Sequence, residues 1–255
     1  MKIGVSSHAF QNYSPEATIK RISEMEFEAW ELVLEGRHAK KDYSGIKELV
    51  ESYDLVMFVH APFSDLNIAS LNQRIRRESL SQIFESVEVA RYLEASLISV
   101  HPGRLSPMAM YFKEKAWEAN INSFKEIADF ASDCGIKACL ENPPSYFGAF
   151  CCSIGEIKEV LTMENKLKLA LDLGHANTCG DVKDYIRELR PWIRHLHLHD
   201  NDGIEDTHSE IGKGNLDLKV LLPYLKDCKD FIIIEVKEEE AALKSKEKLE
   251  ELISS

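Results

Sequence analysis

The stretch 167-LKLALDLGHA-176 decides the fold. Read as a strand, it sets Leu167, Leu169, Leu171 and Leu173 on one face and Lys168, Ala170 and Asp172 on the other. The segment 231-FIIIEVK-237 repeats the pattern, with Ile232, Ile234 and Val236 opposing Ile233, Glu235 and Lys237. A strand that is greasy throughout on one face and mixed on the other, with its polar residues late, suits the wall of a closed barrel. The greasy face packs under helices and the mixed face points inward.

Working outward, strand-like runs recur at KIGVSSH, AWELVLE, LVMFVHAPF, SLISVHPG, IKACLEN, LKLALDLGHA, IRHLHLHD and FIIIEVK, each followed by a charged segment of helical spacing such as PEATIKRISEM or DVKDYIRELR. Eight such units at a mean spacing of about 32 residues predict a single (β/α)8 barrel, a TIM barrel, over residues 1–255. The rival, an open doubly wound sheet, calls for a GxGxxG turn after its first strand, and this chain has none. The tail KEEEAALKSKEKLEELISS carries apolar residues at helical spacing, Leu243, Leu249 and Leu252, and predicts a solvated final helix.

Bulk properties narrow the function. No apolar run reaches the roughly 18 to 20 residues of a membrane span, and MKIGVSSH enters a strand pattern directly, so the expectation is a cytoplasmic protein with no membrane partner. The six cysteines show no CxxC pair, which predicts reduced thiols rather than a disulfide framework. A net charge of −12 disfavours nucleic acid as the main partner, because affinity for a phosphate backbone comes from a basic face. The segment 103-GRLSPMAMYF-112 has the Met and aromatic content of a lid or of a homo-oligomer contact, with ordinary packing the plainer expectation.

In a barrel of this kind the C-terminal strand ends converge on one mouth, where the chemistry sits. The last inward position of each strand is His8, Glu35, His60, His101, Glu141, Asp172, His197 and Glu235, all histidines or carboxylates. So many ionisable groups in one pocket would repel one another or lose their solvation without cations, and a divalent metal is the simplest neutraliser. Nitrogen and oxygen donors without thiolate favour zinc or manganese. His175 can turn towards the same mouth as Asp172 from a tight loop, and Asp206 and His208 add two donors after strand 7. Of the alternating His195, His197 and His199, the middle one is expected to be a ligand. His195 lies deeper, as a core residue or a support for the ligands, and His199 lines the rim. His8, Glu35 and Arg37 are candidate substrate contacts, while Trp30 has the outward parity of a packing residue.

The segments 59-VHAPFSDLNIAS-70, 100-VHPG-103, 140-LEN-142, 171-LDLGHA-176, 197-HLHDND-202, 206-DTH-208, 211-IGKGNLD-217 and 234-IEVK-237 together resemble the xylose isomerase-like barrel superfamily, from strand 3 to strand 8. Its members include sugar isomerases and epimerases and the endonuclease IV family. The isomerase side implies one metal on Glu141, Asp172, His197 and Glu235, and the nuclease side implies three zinc ions that add His60, His101, His175, Asp206 and His208. All nine positions are filled. The chain departs from the nuclease pattern in PPSYFGAF, which lacks a glycine-glutamine-glycine turn, in LDLGHA for LDTCHA, and in EVK where the nuclease has proline after its glutamate. HLHDNDG followed by IGKGNLD looks more like the sugar phosphate isomerases/epimerases.

These readings predict a metal-dependent isomerase or epimerase of a small sugar or sugar phosphate. Its one to three ions would be zinc or manganese, and Glu141 and Glu235 would act as acid and base through an enediolate. The alternative is a multinuclear zinc phosphodiesterase that cleaves DNA at abasic sites. A scaffold protein is disfavoured, because apolar replacements at the eight positions would stabilise a mere scaffold better.

Overall fold

The computed structural model describes residues 2–225 and 231–254. Eight parallel strands, β1 (Lys2–Ser6), β2 (Ala29–Val33), β3 (Val56–His60), β4 (Leu97–Val100), β5 (Lys137–Glu141), β6 (Lys168–Asp172), β7 (Ile193–Leu198) and β8 (Phe231–Ile234), pair in sequence order. β8 returns to β1 through Lys2 to Phe231 and Val5 to Ile234, closing the barrel as the strand parity predicts. The helices are α1 (Pro15–Glu24), α2 (Ser44–Ser52), α3 (Gln73–Tyr92), α4 (Lys113–Asp133), α5 (Ile154–Met163), α6 (Leu173–Cys179), α7 (Val182–Leu189), α8 (Leu218–Leu225) and α9 (Glu239–Ser254). Their starts follow capping chemistry: Ser14, Asn72, Ser153 and Asp181 each accept a backbone N–H of the first turn.

The two strand faces separate as the alternation requires. Leu167, Leu169, Leu171, Ile232, Ile234 and Val236 join the large apolar layer between strands and helices. Inside the barrel, Ala29, Phe58, Leu97, Cys139, Ala170 and Ile233 form a separate apolar plug at the lower end. Above this plug the same inward parity carries Glu31, Ser99, His60, Glu141, Asp172, His195 and His197, which places buried histidines and carboxylates towards the C-terminal mouth.

Three expectations change. His175 sits in a short helix rather than a tight loop: Asp172 caps α6, its Oδ1 accepting the His175 N–H at 2.6 Å, so this unit carries two helices, α6 and α7. On α9 the buried face is Ala242, Ser245, Lys246, Leu249 and Leu252, while Leu243 faces out. The segment after β4 does not pack as ordinary interior, because Met108 is 67% and Tyr111 80% exposed. Five thiols, Cys134, Cys139, Cys151, Cys152 and Cys179, are free, and Cys228 lies outside the described residues. No described helix is long and apolar enough to cross a membrane.

Candidate metal centre

The centre is built in tiers above the plug. Lowest is Glu31, a fully buried carboxylate on β2. Its Oε1 accepts the Ser99 hydroxyl at 2.9 Å and lies 3.3 Å from His195 Nε2, and its Oε2 lies 2.8 Å from His197 Nε2. Burial opposes ionisation, but His197 and His195 hold the Glu31 carboxyl well below the usual range. With Nε2 committed downward, His197 presents Nδ1 upward, 3.3 Å from Glu141 Oε1, 3.6 Å from Glu235 Oε1 and 4.0 Å from Asp172 Oδ2.

Those four atoms form the core of the site. One donor atom each from Glu141, Asp172, His197 and Glu235 lies within 4.8 Å of the others, and all four residues are buried. Glu141 Oε1, Asp172 Oδ2, His197 Nδ1 and Glu235 Oε1 are each left without a hydrogen-bond partner. Buried polar atoms rarely stay unpaired, and four converging on one point fit a shared cation. Three carboxylates and one imidazole make a mainly hard oxygen donor set, suited to manganese or zinc.

A second group surrounds the first. His175, His199, Asp206 and His208 bring donor atoms within 4.8 Å of one another, as do His60, His101 and Glu141. The tautomers are legible from backbone partners. His60 Nδ1 donates to the Ala61 carbonyl at 2.7 Å, His175 Nδ1 to that of Asn142 at 2.9 Å, and His208 Nδ1 to that of Glu235 at 2.9 Å. Each remaining Nε2 then faces a carboxylate: His60 to Glu141 at 2.9 Å, and His175 and His208 to Asp206 at 3.4 and 3.2 Å. An unprotonated nitrogen and a carboxylate oxygen repel at that range, so a proton or a metal must lie between them.

Without metal, protons fill the role. Burial works against the His60 imidazolium, yet Glu141 raises its pKa to about 9, and Asp172 with Asp206 raises that of His175 to about 10 against the same penalty. Asp206 is correspondingly lowered by His175 and His208. His199, expected at the rim, is fully buried, its ring stacked on His208 at 3.9 Å. Gly174 makes room for it, since a Cβ there would fall 2.2 Å from the His199 ring. His195, expected deep, is buried against Glu31.

A cavity of about 270 Å³ opens above these groups. His8, His60, His101, Glu141, His175, Asp206, His208 and Glu235 line it, whereas Asp172 and His197 lie beneath. Of the expected substrate contacts, His8 lines the cavity, but Glu35 does not: its carboxylate accepts the Phe63 and Ser64 N–H groups and the Ser64 hydroxyl at 2.6 to 2.7 Å. Arg37 is exposed and lines nothing there. The chain leaves β2 at Val33 and turns at Gly36, with φ +57, so strand parity no longer aims residues 35 and 37. Trp30 packs in the outer layer and donates its indole N–H to Ser7.

Three contributors escaped the strand-end reading. Glu31 had a signal, an inward position four residues before Glu35. Arg104 and Tyr146, which line the cavity from loops, had none in periodicity.

The chain belongs to the xylose isomerase-like TIM barrel family, matched over residues 19–254. It is 36% identical over 262 residues to an uncharacterized protein of Methanocaldococcus jannaschii, with 99% of this chain and 89% of that protein covered. Fructoselysine 3-epimerase of Shigella flexneri is 25% identical over 240 residues (87% and 84% covered), and a probable endonuclease 4 of Aquifex aeolicus is 24% identical over 235 residues (82% and 82%). Among solved structures, a D-tagatose 3-epimerase-like protein superposes with TM-score 0.94 at 35% identity, covering 100% of this chain and 97% of that one.

Proposed function

We propose that the protein is a divalent-metal-dependent epimerase or isomerase of a small ketose or related sugar. The observation that carries this reading is the convergence of Glu141, Asp172, His197 and Glu235, whose inward atoms have no partner but one another. The similarity to sugar epimerases supports the same substrate class. Glu141, Asp172, His197 and Glu235 would hold a manganese or zinc ion, which would supply polarisation of the substrate carbonyl when bound.

The chain's own groups do the proton work. Of the four, only Glu141 and Glu235 also line the cavity, the first at the end of β5 and the second just past the end of β8. One carboxylate takes the proton from the carbon beside the carbonyl, leaving an enediolate. The other, protonated, returns a proton to the opposite face, which inverts that carbon. His60, whose Nε2 faces Glu141 Oε2 at 2.9 Å, holds that carboxylate in place. Phe63, stacked on His101 at 4.6 Å, walls the cavity with an apolar ring.

The test is exchange. Metal-loaded protein in D2O should introduce deuterium beside the carbonyl of at least one ketose, read by NMR, and Glu141→Gln and Glu235→Gln should each abolish it. A panel of ketopentoses and ketohexoses, free and phosphorylated, that shows no exchange would contradict the reading.

A second reading, an endonuclease-like phosphodiesterase, has one observation in its favour: the outer group of His175, His199, Asp206 and His208 also brings ligand atoms together. Incision of abasic-site DNA by the wild type, lost in His208→Ala, would establish it over the first.

A further inference from the structure

Arg104 is the one Lys or Arg among the described residues that line the cavity, in a chain of net charge −12. Among the described residues its guanidinium pairs with no carboxylate. Its hydrogen bond runs from Nη2 to the Ser64 carbonyl at 3.2 Å. A neutral acceptor leaves the positive charge uncompensated, so an anion in the cavity meets a cation that gives up no partner.

The residue is also held in place. The Asn67 side chain grips its backbone from both sides, Oδ1 accepting the Arg104 N–H at 3.0 Å and Nδ2 donating to the Arg104 carbonyl at 2.9 Å. Arg104 bridges to Ala149, and the Leu105 N–H donates to the Gly148 carbonyl at 2.8 Å, which ties this segment to the loop that carries Tyr146. Gly103 permits the approach, because a Cβ there would lie 2.3 Å from Ala69. Glu35 completes the arrangement by fixing the Phe63–Ser64 segment whose carbonyl receives the guanidinium. Such anchoring reduces the ordering cost of binding.

We propose that Arg104, with Tyr146 of the neighbouring loop beside it in the cavity lining, forms a subsite for a terminal anionic group of the substrate, a phosphate ester or a carboxylate, while the sugar's reacting end faces Glu141 and Glu235. The subsite rests on the sugar reading above and deepens it: the substrate is a charged sugar rather than a free one. A guanidinium suits either anion, since its fork of donors matches two oxygens at once.

The test uses unreactive polyols, so that binding is measured apart from turnover. Metal-loaded wild type and Arg104→Gln are titrated by calorimetry with xylitol, xylitol 5-phosphate and xylonate. Wild type should bind one of the two anions on the order of a hundredfold tighter than xylitol, as expected of charge-assisted hydrogen bonds. Arg104→Gln should reduce that preference to a few-fold, and Arg104→Lys should recover part of it. Preference for xylitol 5-phosphate identifies a phosphate ester, and preference for xylonate a carboxylate. Equal binding of all three by wild type, or a preference that survives in Arg104→Gln, overturns the proposal. An Arg104-dependent preference without ketose exchange would instead sink the epimerase reading and leave the anion subsite standing.

Discussion

Two polar groups share the mouth of this barrel and are built differently. The inner one, Glu141, Asp172, His197 and Glu235, comes from strands β5, β6 and β7 and the exit of β8, with three carboxylates to one imidazole. The outer one, His175, His199, Asp206 and His208, comes from α6 and the loop after β7, with three imidazoles to one carboxylate. Protons can settle the outer group, because its histidines can carry them. The inner group has too few nitrogens for that, and even a charged His197 leaves an excess of negative charge. That excess is what the proposed cation would offset at the inner group, while the outer one can stand without it.

The largest effect should come from the inner group. Glu141→Ala should remove the metal and lower kcat/KM roughly a thousandfold or more, by taking away a ligand and a proton carrier together. Retained metal with near-normal turnover would break the comparison at its root.

His38 sharpens the contrast from the opposite side. It too is buried, but its neighbours are Trp30 and the Thr18 hydroxyl, and burial pushes its pKa down from 6.5 to about 4. The unfolded chain then binds the proton more tightly than the folded one. The stability tied to neutral His38 is complete above pH 6.5 and is lost as pH falls towards 4, by at most about 3 kcal/mol. His38→Gln should flatten that acid limb in thermal melts, and an unchanged slope between pH 6.5 and 4 would show that burial does not strip this charge.

A smaller effect is expected beneath the inner group. Glu31→Gln removes the charge facing His197 Nε2 and should weaken metal affinity roughly tenfold to a hundredfold in a chelator competition. Unchanged affinity would mean that Glu31 merely fills the barrel. Smallest of all, His208→Ala should reduce turnover by about tenfold at most, the scale of a lost cavity contact. A loss as large as that of Glu141→Ala would put the outer group at the heart of the chemistry.

Strand parity made the barrel and the inner group legible, because alternation holds wherever ladder bonds do. Leu171 and Asp172, or Ile234 and Glu235, fall on opposite faces for that reason alone. It failed one step beyond the strands. At Glu35 and Arg37 the chain has already turned, and His199, read as rim, is drawn inward by Asp172 and Asp206, which lie 3.3 and 3.4 Å from its Nε2. Arg104 and Tyr146 were illegible because long-range ties, the Asn67 clamp and the bridge to Ala149, place them in the cavity, and such ties have no period in sequence. Glu31 has the inward parity but lies below the strand ends, so a reading confined to the last inward position of each strand passes over it.

The most direct test of the account is the metal content of each chain, measured by elemental analysis on tag-free protein, with Glu141→Ala and His208→Ala alongside. The account predicts about one ion per chain, lost in Glu141→Ala and kept in His208→Ala. Two or three zinc ions, one of them lost in His208→Ala, would contradict it and turn attention to cleavage of abasic DNA.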